Sequence, residues 1–150
     1  TVYHGGYQPV KKPEIRKGRN TKDFGYGFYC TIIKEQAQRW AKRYETKAIS
    51  IYDVRMNTNL NIKEFTEMSE EWLDFILTCR SGKDVSDYDI VMGGVANDKV
   101  FNTVELYFDG LIDKSEAINR LRYEKPNMQI CLRTENAIEN YLHFEGSEQI

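Results

Sequence analysis

Three short apolar runs in this chain are bounded by glycines, and that punctuation limits the fold more than any other feature. Val2-Tyr3-His4 runs into Gly5-Gly6, Gly25-Tyr26-Gly27 leads into Phe28-Tyr29-Cys30-Thr31, and Asp89-Ile90-Val91-Met92 stops at Gly93-Gly94. Runs of this length, rich in aromatic and β-branched residues, read as strands. Glycines at their ends mark turns, or places where another backbone or a ligand comes close. Lys47 to Val54 alternates Ala48, Ser50 and Tyr52 against Ile49, Ile51 and Asp53, the pattern of a half-buried strand. Met128 to Leu132 is a late strand, and Tyr141 to Phe144 is the last element.

Helical stripes separate these strands. Ala37, Trp40, Ala41 and Tyr44 recur at i, i+3, i+4 and i+7, with Thr31 placed to cap the helix. Ser69 followed by Glu70 and Glu71 opens a second helix, whose stripe is Trp72, Phe75, Ile76 and Cys79 and which ends before Gly82. A third is expected over Thr103 to Phe108. Asp113 with Glu116 resembles a capping box for a helix carrying Ile118 and Leu121, and Thr134 caps a short last helix. Tyr7 to Phe24 reads as a loop, interrupted by Pro9, Pro13 and Gly18. No repeat, linker or low-complexity tract divides the 150 residues, so a single α+β domain over 1–150 is expected.

With 41 % hydrophobic and 29 % charged residues, the chain is apolar enough to fold and too apolar to be disordered. Its formal charge of −2 argues against a nonspecific grip on nucleic acid, which needs clustered positive charge. One basic stretch, Lys11, Lys12, Arg16, Lys17, Arg19 and Lys22, is open to two readings, a solvated loop or a phosphate-binding loop. Cys30, Cys79 and Cys131 sit in apolar runs without metal-ligand spacing, which points to buried reduced thiols and a cytoplasmic location. With only two histidines and no Cys-x-x-Cys, no metal is expected. Nor is a membrane partner, for no run is long enough to span a bilayer and no leader pattern is seen.

Aromatic residues make up 13 % of the chain, ten of them tyrosines, which suits either a ligand cleft or a small core. His4 offers a ring nitrogen to a ligand and is also compatible with a structural role. Gly25-Tyr26-Gly27 is not a dinucleotide-binding fingerprint, because it lacks both a preceding strand and a third glycine. Tyr29 and Trp40 stand eleven residues apart, on a strand and on the helix after it. If that helix folds back, the two rings face each other across a slot for a flat heterocycle; alternatively Trp40 is simply the centre of a buried stripe.

Taken together, Tyr3-His4-Gly5 and Gly25-Tyr26-Gly27-Phe28-Tyr29-Cys30-Thr31 resemble the diphtheria-toxin-like, His-Tyr-Glu branch of the ADP-ribosyltransferases, which includes the poly(ADP-ribose) polymerases. More closely, the chain resembles over nearly its whole length a bacterial domain family of unknown function placed in that superfamily. Gly18-Arg19, Asp23-Phe24-Gly25, Glu35-Gln36-Ala37, Glu71-Trp72, Asp87-Tyr88-Asp89-Ile90-Val91 and Val95-Ala96-Asn97-Asp98 carry this second likeness. The resemblance implies an ADP-ribosyltransferase-like fold, a central split β-sheet with flanking helices and a cleft for NAD. It also implies roles. His4 would bind the adenosine-side ribose of NAD, Gly5 the nicotinamide carboxamide through its backbone, and Tyr29 and Trp40 the nicotinamide ring. Arg19 is a candidate for the diphosphate, since a guanidinium can fork onto phosphate oxygens.

The family's third catalytic residue is a glutamate at the start of a late strand, and Gln129 takes that position here. Glutamine can still hydrogen-bond a ribose hydroxyl, but it brings no charge to a developing cation and cannot act as a base. Glu135 is the alternative carboxylate, although its place at a helix start suits the helix dipole. The function this implies is transfer of a single ADP-ribose from NAD to a protein or nucleic-acid acceptor. In the family context that activity belongs to the toxin of a toxin–antitoxin or antiphage system, with an antitoxin as partner. The second expectation is a catalytically silent domain that binds NAD, ADP-ribose or a partner protein.

Overall fold

The structure, a computed structural model, describes residues 1–15, 23–55, 59–84, 86–96, 98–121 and 127–150. Among the described residues, seven strands and five helices follow one another as β1 (Val2–Gly6), β2 (Phe28–Cys30), α1 (Lys34–Ala41), β3 (Ala48–Val54), β4 (Ile62–Glu64), α2 (Glu70–Arg80), β5 (Ile90–Gly93), α3 (Asp98–Phe108), α4 (Lys114–Leu121), β6 (Gln129–Leu132), α5 (Glu135–Tyr141) and β7 (Leu142–Gln149). The architecture is mixed α+β, built on two sheets. One is antiparallel in the order β1-β3-β7; the other runs β2-β6-β5-β4, with β4 parallel to β5 and the remaining pairs antiparallel. A two-bond bridge joins them, Tyr3 N–H to Thr31 O at 2.8 Å and Thr31 N–H to Tyr3 O at 2.9 Å.

Strand alternation assigns each residue of the second sheet to one of two cores. Phe28, Ile90, Ile130 and Leu132 point toward the first sheet, where Val2 and Tyr52 meet them and Ile138 and Tyr141 of α5 close the layer. Val91 and Cys131 point the other way, into a core roofed by Trp72, Leu73 and Ile76 of α2, Val100 and Val104 of α3, and Ala117 and Leu121 of α4. Helix α1 lies on the outer face of the first sheet, packing Ala37 and Ala41 on Ile49. The helix stripe at Trp72, Ile76 and Cys79 thus covers the second sheet, and Ser69 caps it by accepting from Trp72 N–H at 3.3 Å.

Several expectations are corrected. Thr31 does not cap α1: its hydroxyl donates to Met128 O at 2.7 Å and accepts from Ile33 N–H at 3.0 Å, while the cap position is Ile33. The same helix ends at Ala41, before Tyr44. Helix α3 begins at Asp98, well ahead of Thr103. Strand β4 was not anticipated, because Ile62-Lys63-Glu64 is a short and largely exposed edge with no period to read. The last strand runs on to Gln149. Only half of the capping box forms: Asp113 accepts from Glu116 N–H at 2.8 Å, but the Glu116 carboxylate turns to Arg120 at 2.9 Å. All three cysteines are buried thiols outside any disulfide, and burial raises Cys30 well above the usual thiol range and Cys79 to about 12.

Space, rather than backbone freedom, explains Gly5. A Cβ there would stand 1.9 Å from the Ala37 carbonyl oxygen, so α1 can lie against β1 only over a glycine. Gly5→Ala is therefore expected to lose about 1–3 kcal/mol of stability through overpacking. Gly146→Ala, on β7 with nothing within 4 Å of the added carbon, should be neutral or mildly stabilising. Urea unfolding of both variants checks the contrast.

Candidate functional site

Strand β1 places His4 beside β2. The His4 Nδ1 lies 2.7 Å from the main-chain carbonyl of Tyr29, and the ring stacks on Phe28 with centroids 4.2 Å apart. A carbonyl can only accept, so Nδ1 carries the hydrogen, and in the neutral ring Nε2 is the nitrogen that accepts. Gly6 lies beside that nitrogen: a Cβ at position 6 would stand 3.4 Å from it, in ordinary contact.

Tyr29 turns its side chain to the opposite face of the sheet from Phe28. Its hydroxyl donates to Gly25 O at 2.7 Å and accepts from Phe24 N–H at 3.1 Å. Gly25 has φ +82°, a conformation that favours glycine, and this aims its carbonyl at the tyrosine. Burial, followed by the neighbouring Cys131, pushes the Tyr29 phenol far above its ordinary range. Tyr29 is therefore a neutral ring on a fixed mount. It is not a base.

One cleft of about 650 Å³ gathers His4, Gly5, Tyr29, Trp40 and Gln129 into its lining. Its size falls within the range of small-molecule sites. Trp40 is only half buried, while Ala37 and Ala41 take the core side of α1, so the tryptophan faces the cleft and is not the centre of the buried stripe. Tyr44 reaches the same lining from beyond the helix end; its ring lies 5.6 Å from Tyr7 and 5.1 Å from the Arg43 guanidinium. Lys11, Lys12 and Arg43 bring positive charge to the lining, alongside Glu14, and such charge suits a phosphate-bearing ligand. Arg19 lies outside the described residues, as do Arg16, Lys17 and Lys22. Glu135 is not in the lining of the cleft: it opens α5 and lines, with Tyr52, an adjoining recess of about 370 Å³ that shares Lys11, Lys12 and Glu14 with the cleft.

Gln129 is buried at the start of β6, and its Nε2 donates to Asp23 Oδ2 at 3.0 Å and to Gly94 O at 3.1 Å. Asp23 is itself buried. Its Oδ1 meets Arg80 Nη2 at 2.5 Å, and its Oδ2 also accepts from Ala96 N–H at 2.9 Å. Arg80 stacks on Phe101 at 4.5 Å, and its Nε is a buried donor without a partner among the described residues. Two amides anchor the backbone around this cluster. Gln36 of α1 donates to Met128 O at 2.8 Å and accepts from Met128 N–H at 3.3 Å. Asn127 holds Val95 in the same two-point way, at 2.7 and 3.0 Å.

Sequence reasoning assigned no role to Asp23, Arg80, Gln36 or Asn127. Asp23 and Gln36 both fall in segments of the family resemblance, which was the available signal. Arg80 is the last residue of α2, and nothing local distinguishes it from a solvated arginine. Among the described residues, no group of three His, Cys, Asp or Glu is placed to hold a metal ion, and no helix is long and apolar enough to cross a membrane.

The chain matches, over residues 1–144, the model of a family described as a protein of unknown function (DUF3990), and it belongs to that family. No curated protein and no solved structure matches it significantly.

Removing one member of a buried ion pair leaves the other charge uncompensated, at a cost of about 3–5 kcal/mol. The Asp23 and Arg80 side chains are 9 % and 14 % exposed, against 47 % and 44 % for Glu116 and Arg120. Arg80→Leu is expected to destabilise by that larger amount, and Arg120→Ala by less than about 1 kcal/mol. Chemical denaturation of the two variants side by side measures the difference.

Proposed function

We propose that the protein is an NAD-dependent mono-ADP-ribosyltransferase. The observation that carries this reading is the convergence of His4, Gly5, Tyr29, Trp40 and Gln129, drawn from four elements, on one cleft. The fold proposed with it is that of the His-Tyr-Glu ADP-ribosyltransferases, for which the bridged pair of sheets is the supporting feature.

NAD is the substrate. Tyr29 and Trp40 hold the nicotinamide ring, and stacking on each is worth about 0.5–1.5 kcal/mol beyond buried area. His4 Nε2 accepts from a hydroxyl of the adenosine-side ribose, its tautomer set by the Tyr29 carbonyl. Lys11, Lys12 and Arg43 face the diphosphate. As the bond between the ribose carbon and nicotinamide breaks, the acceptor's nucleophile attacks that carbon and gives up its proton, so one ADP-ribose is transferred and nicotinamide is released. Gln129 accepts from the ribose hydroxyl without adding charge. Chain extension in the family relies on the glutamate that Gln129 replaces, hence the assignment to single transfer. The acceptor is a protein or nucleic-acid group, and a toxin paired with an antitoxin is the biological setting that goes with it.

A second reading, a silent NAD or ADP-ribose binder, is favoured by one observation. The buried carboxylate nearest Gln129 is already neutralised by Arg80, so little negative charge faces a developing cation.

Released nicotinamide, followed by chromatography after incubation with NAD, tests the proposal. Tyr29→Ala and Trp40→Ala should abolish release. Tyr29→Phe should stay within about tenfold of the parent, because the lost hydroxyl serves the Phe24–Gly25 turn and not the chemistry. Unchanged release from Tyr29→Ala would contradict the assignment, and poly(ADP-ribose) chains in the products would contradict single transfer.

A further inference from the structure

The amide of Gln129 has a determined orientation. Its nitrogen lies 3.0 Å from a carboxylate oxygen of Asp23 and 3.1 Å from the Gly94 carbonyl, and both of these atoms can only accept. Both amide hydrogens are thereby engaged. Oε1 meets no protein donor among the described residues, and Gln129 lines the cleft, so this oxygen is the atom the side chain has left for a ligand there.

We infer that Asp23 is a positioning residue: it holds the Gln129 nitrogen so that Oε1 is the fixed hydroxyl acceptor of the cleft. This rests on the functional reading above, in which the hydroxyl belongs to the ribose of NAD, and it assigns a role to a residue that reading does not use. A lone glutamine offers a ligand either a donor or an acceptor. Asp23 removes the choice and leaves the group a carboxylate would present, an acceptor only. Donation to a carboxylate also polarises the amide and raises the electron density on Oε1. Asp23 is in turn held by Arg80 and by Ala96 N–H, so the acceptor is anchored through α2 and the segment after β5.

It follows that restoring the family's glutamate should harm this site. In Gln129→Glu a second carboxylate would face Asp23 across the 3.0 Å now spanned by Nε2, and the two would share a proton. Singly protonated, the pair keeps the bond to Asp23, with the introduced carboxyl donating, and keeps an acceptor for the ligand; with one hydrogen in place of two it gives up the bond to Gly94 O. Fully ionised, it repels. The other titratable groups nearby do not change charge in the neutral range, since burial raises Tyr29 and Cys79 and the guanidinium of Arg80 does not deprotonate. His4 is present in every variant, so ratios to the parent cancel it.

Calorimetric affinity for NAD is the measurement, on the full chain from about pH 5.5 to about pH 8.5. Gln129→Glu should bind nearly as the parent does at the acid end and at least about tenfold more weakly at the alkaline end. Asp23→Asn should weaken binding by about tenfold, because an amide donor at position 23 turns the Gln129 nitrogen toward the ligand. Asp23→Asn with Gln129→Glu should recover the loss of affinity. Because it also returns a carboxylate to the neighbourhood of Arg80, urea unfolding of the same variants is read beside it, and affinity that recovers further than stability marks the positioning role. A Gln129→Glu ratio that is flat with pH, or a double variant no better than Asp23→Asn, in a parent that binds NAD, overturns the role of Asp23 and leaves the functional reading intact. A parent that does not bind NAD overturns that reading and, with it, the assignment of the hydroxyl.

Discussion

A carboxylate carried into a protein interior has to be compensated there, and the arrangement of the cleft follows from how Asp23 is compensated. Its two oxygens take Arg80 from α2, the Ala96 N–H from the segment after β5, and the Gln129 amide from β6. Three parts of the chain far apart in sequence are thereby held at fixed distances from the turn that carries Phe24 and Gly25. That turn in its own right grips the Tyr29 hydroxyl. The Tyr29 carbonyl then orients His4. A single buried charge thus connects, through hydrogen bonds of 2.5–3.1 Å, the second sheet, the helices that roof it and the edge of the first sheet.

Specificity and stability draw on different members of this chain of contacts. The Asp23–Arg80 pair belongs to the fold, because each charge exists in the interior only by virtue of the other. Under the proposed function Gln129 belongs to ligand recognition, through the oxygen that its bonds to Asp23 and Gly94 leave over. Asp23 joins the two, and in the proposed reading this lets a neutral side chain stand in a glutamate's position without becoming an ambiguous hydrogen-bonding group. The same arrangement limits the chemistry. Arg80 offsets the negative charge that would otherwise meet a cationic transition state, so orientation carries more of any catalysis here than charge does.

Local patterns in the sequence were legible where a period or a cap could be read. The Ser69 cap, the stripe of α2, the alternation of β3 and the strand ahead of Gly93 all followed from short-range rules. Thr31 misled because a hydroxyl at a strand end has two uses, and here the partner is Met128, 97 residues away. Strand β4 was invisible for a related reason, since its existence depends on pairing with β5 and not on its own composition. The residues named by family resemblance line the cleft together; of the two named on other grounds, Arg19 lies outside the described residues and Glu135 lines another recess. The Asp23 cluster could not be read locally: its links to Arg80 and Gln129 span 57 and 106 residues, and neither helix period nor strand alternation reports contacts of that range.

The central claim is that this cleft receives NAD in one orientation, and a crystal structure of the protein with NAD addresses it most directly. The account predicts the nicotinamide ring between Tyr29 and Trp40, an adenosine-side ribose hydroxyl on His4 Nε2, and a hydroxyl of the other ribose on Gln129 Oε1. NAD seated away from these residues, or a cleft that stays empty at saturating NAD, would contradict it.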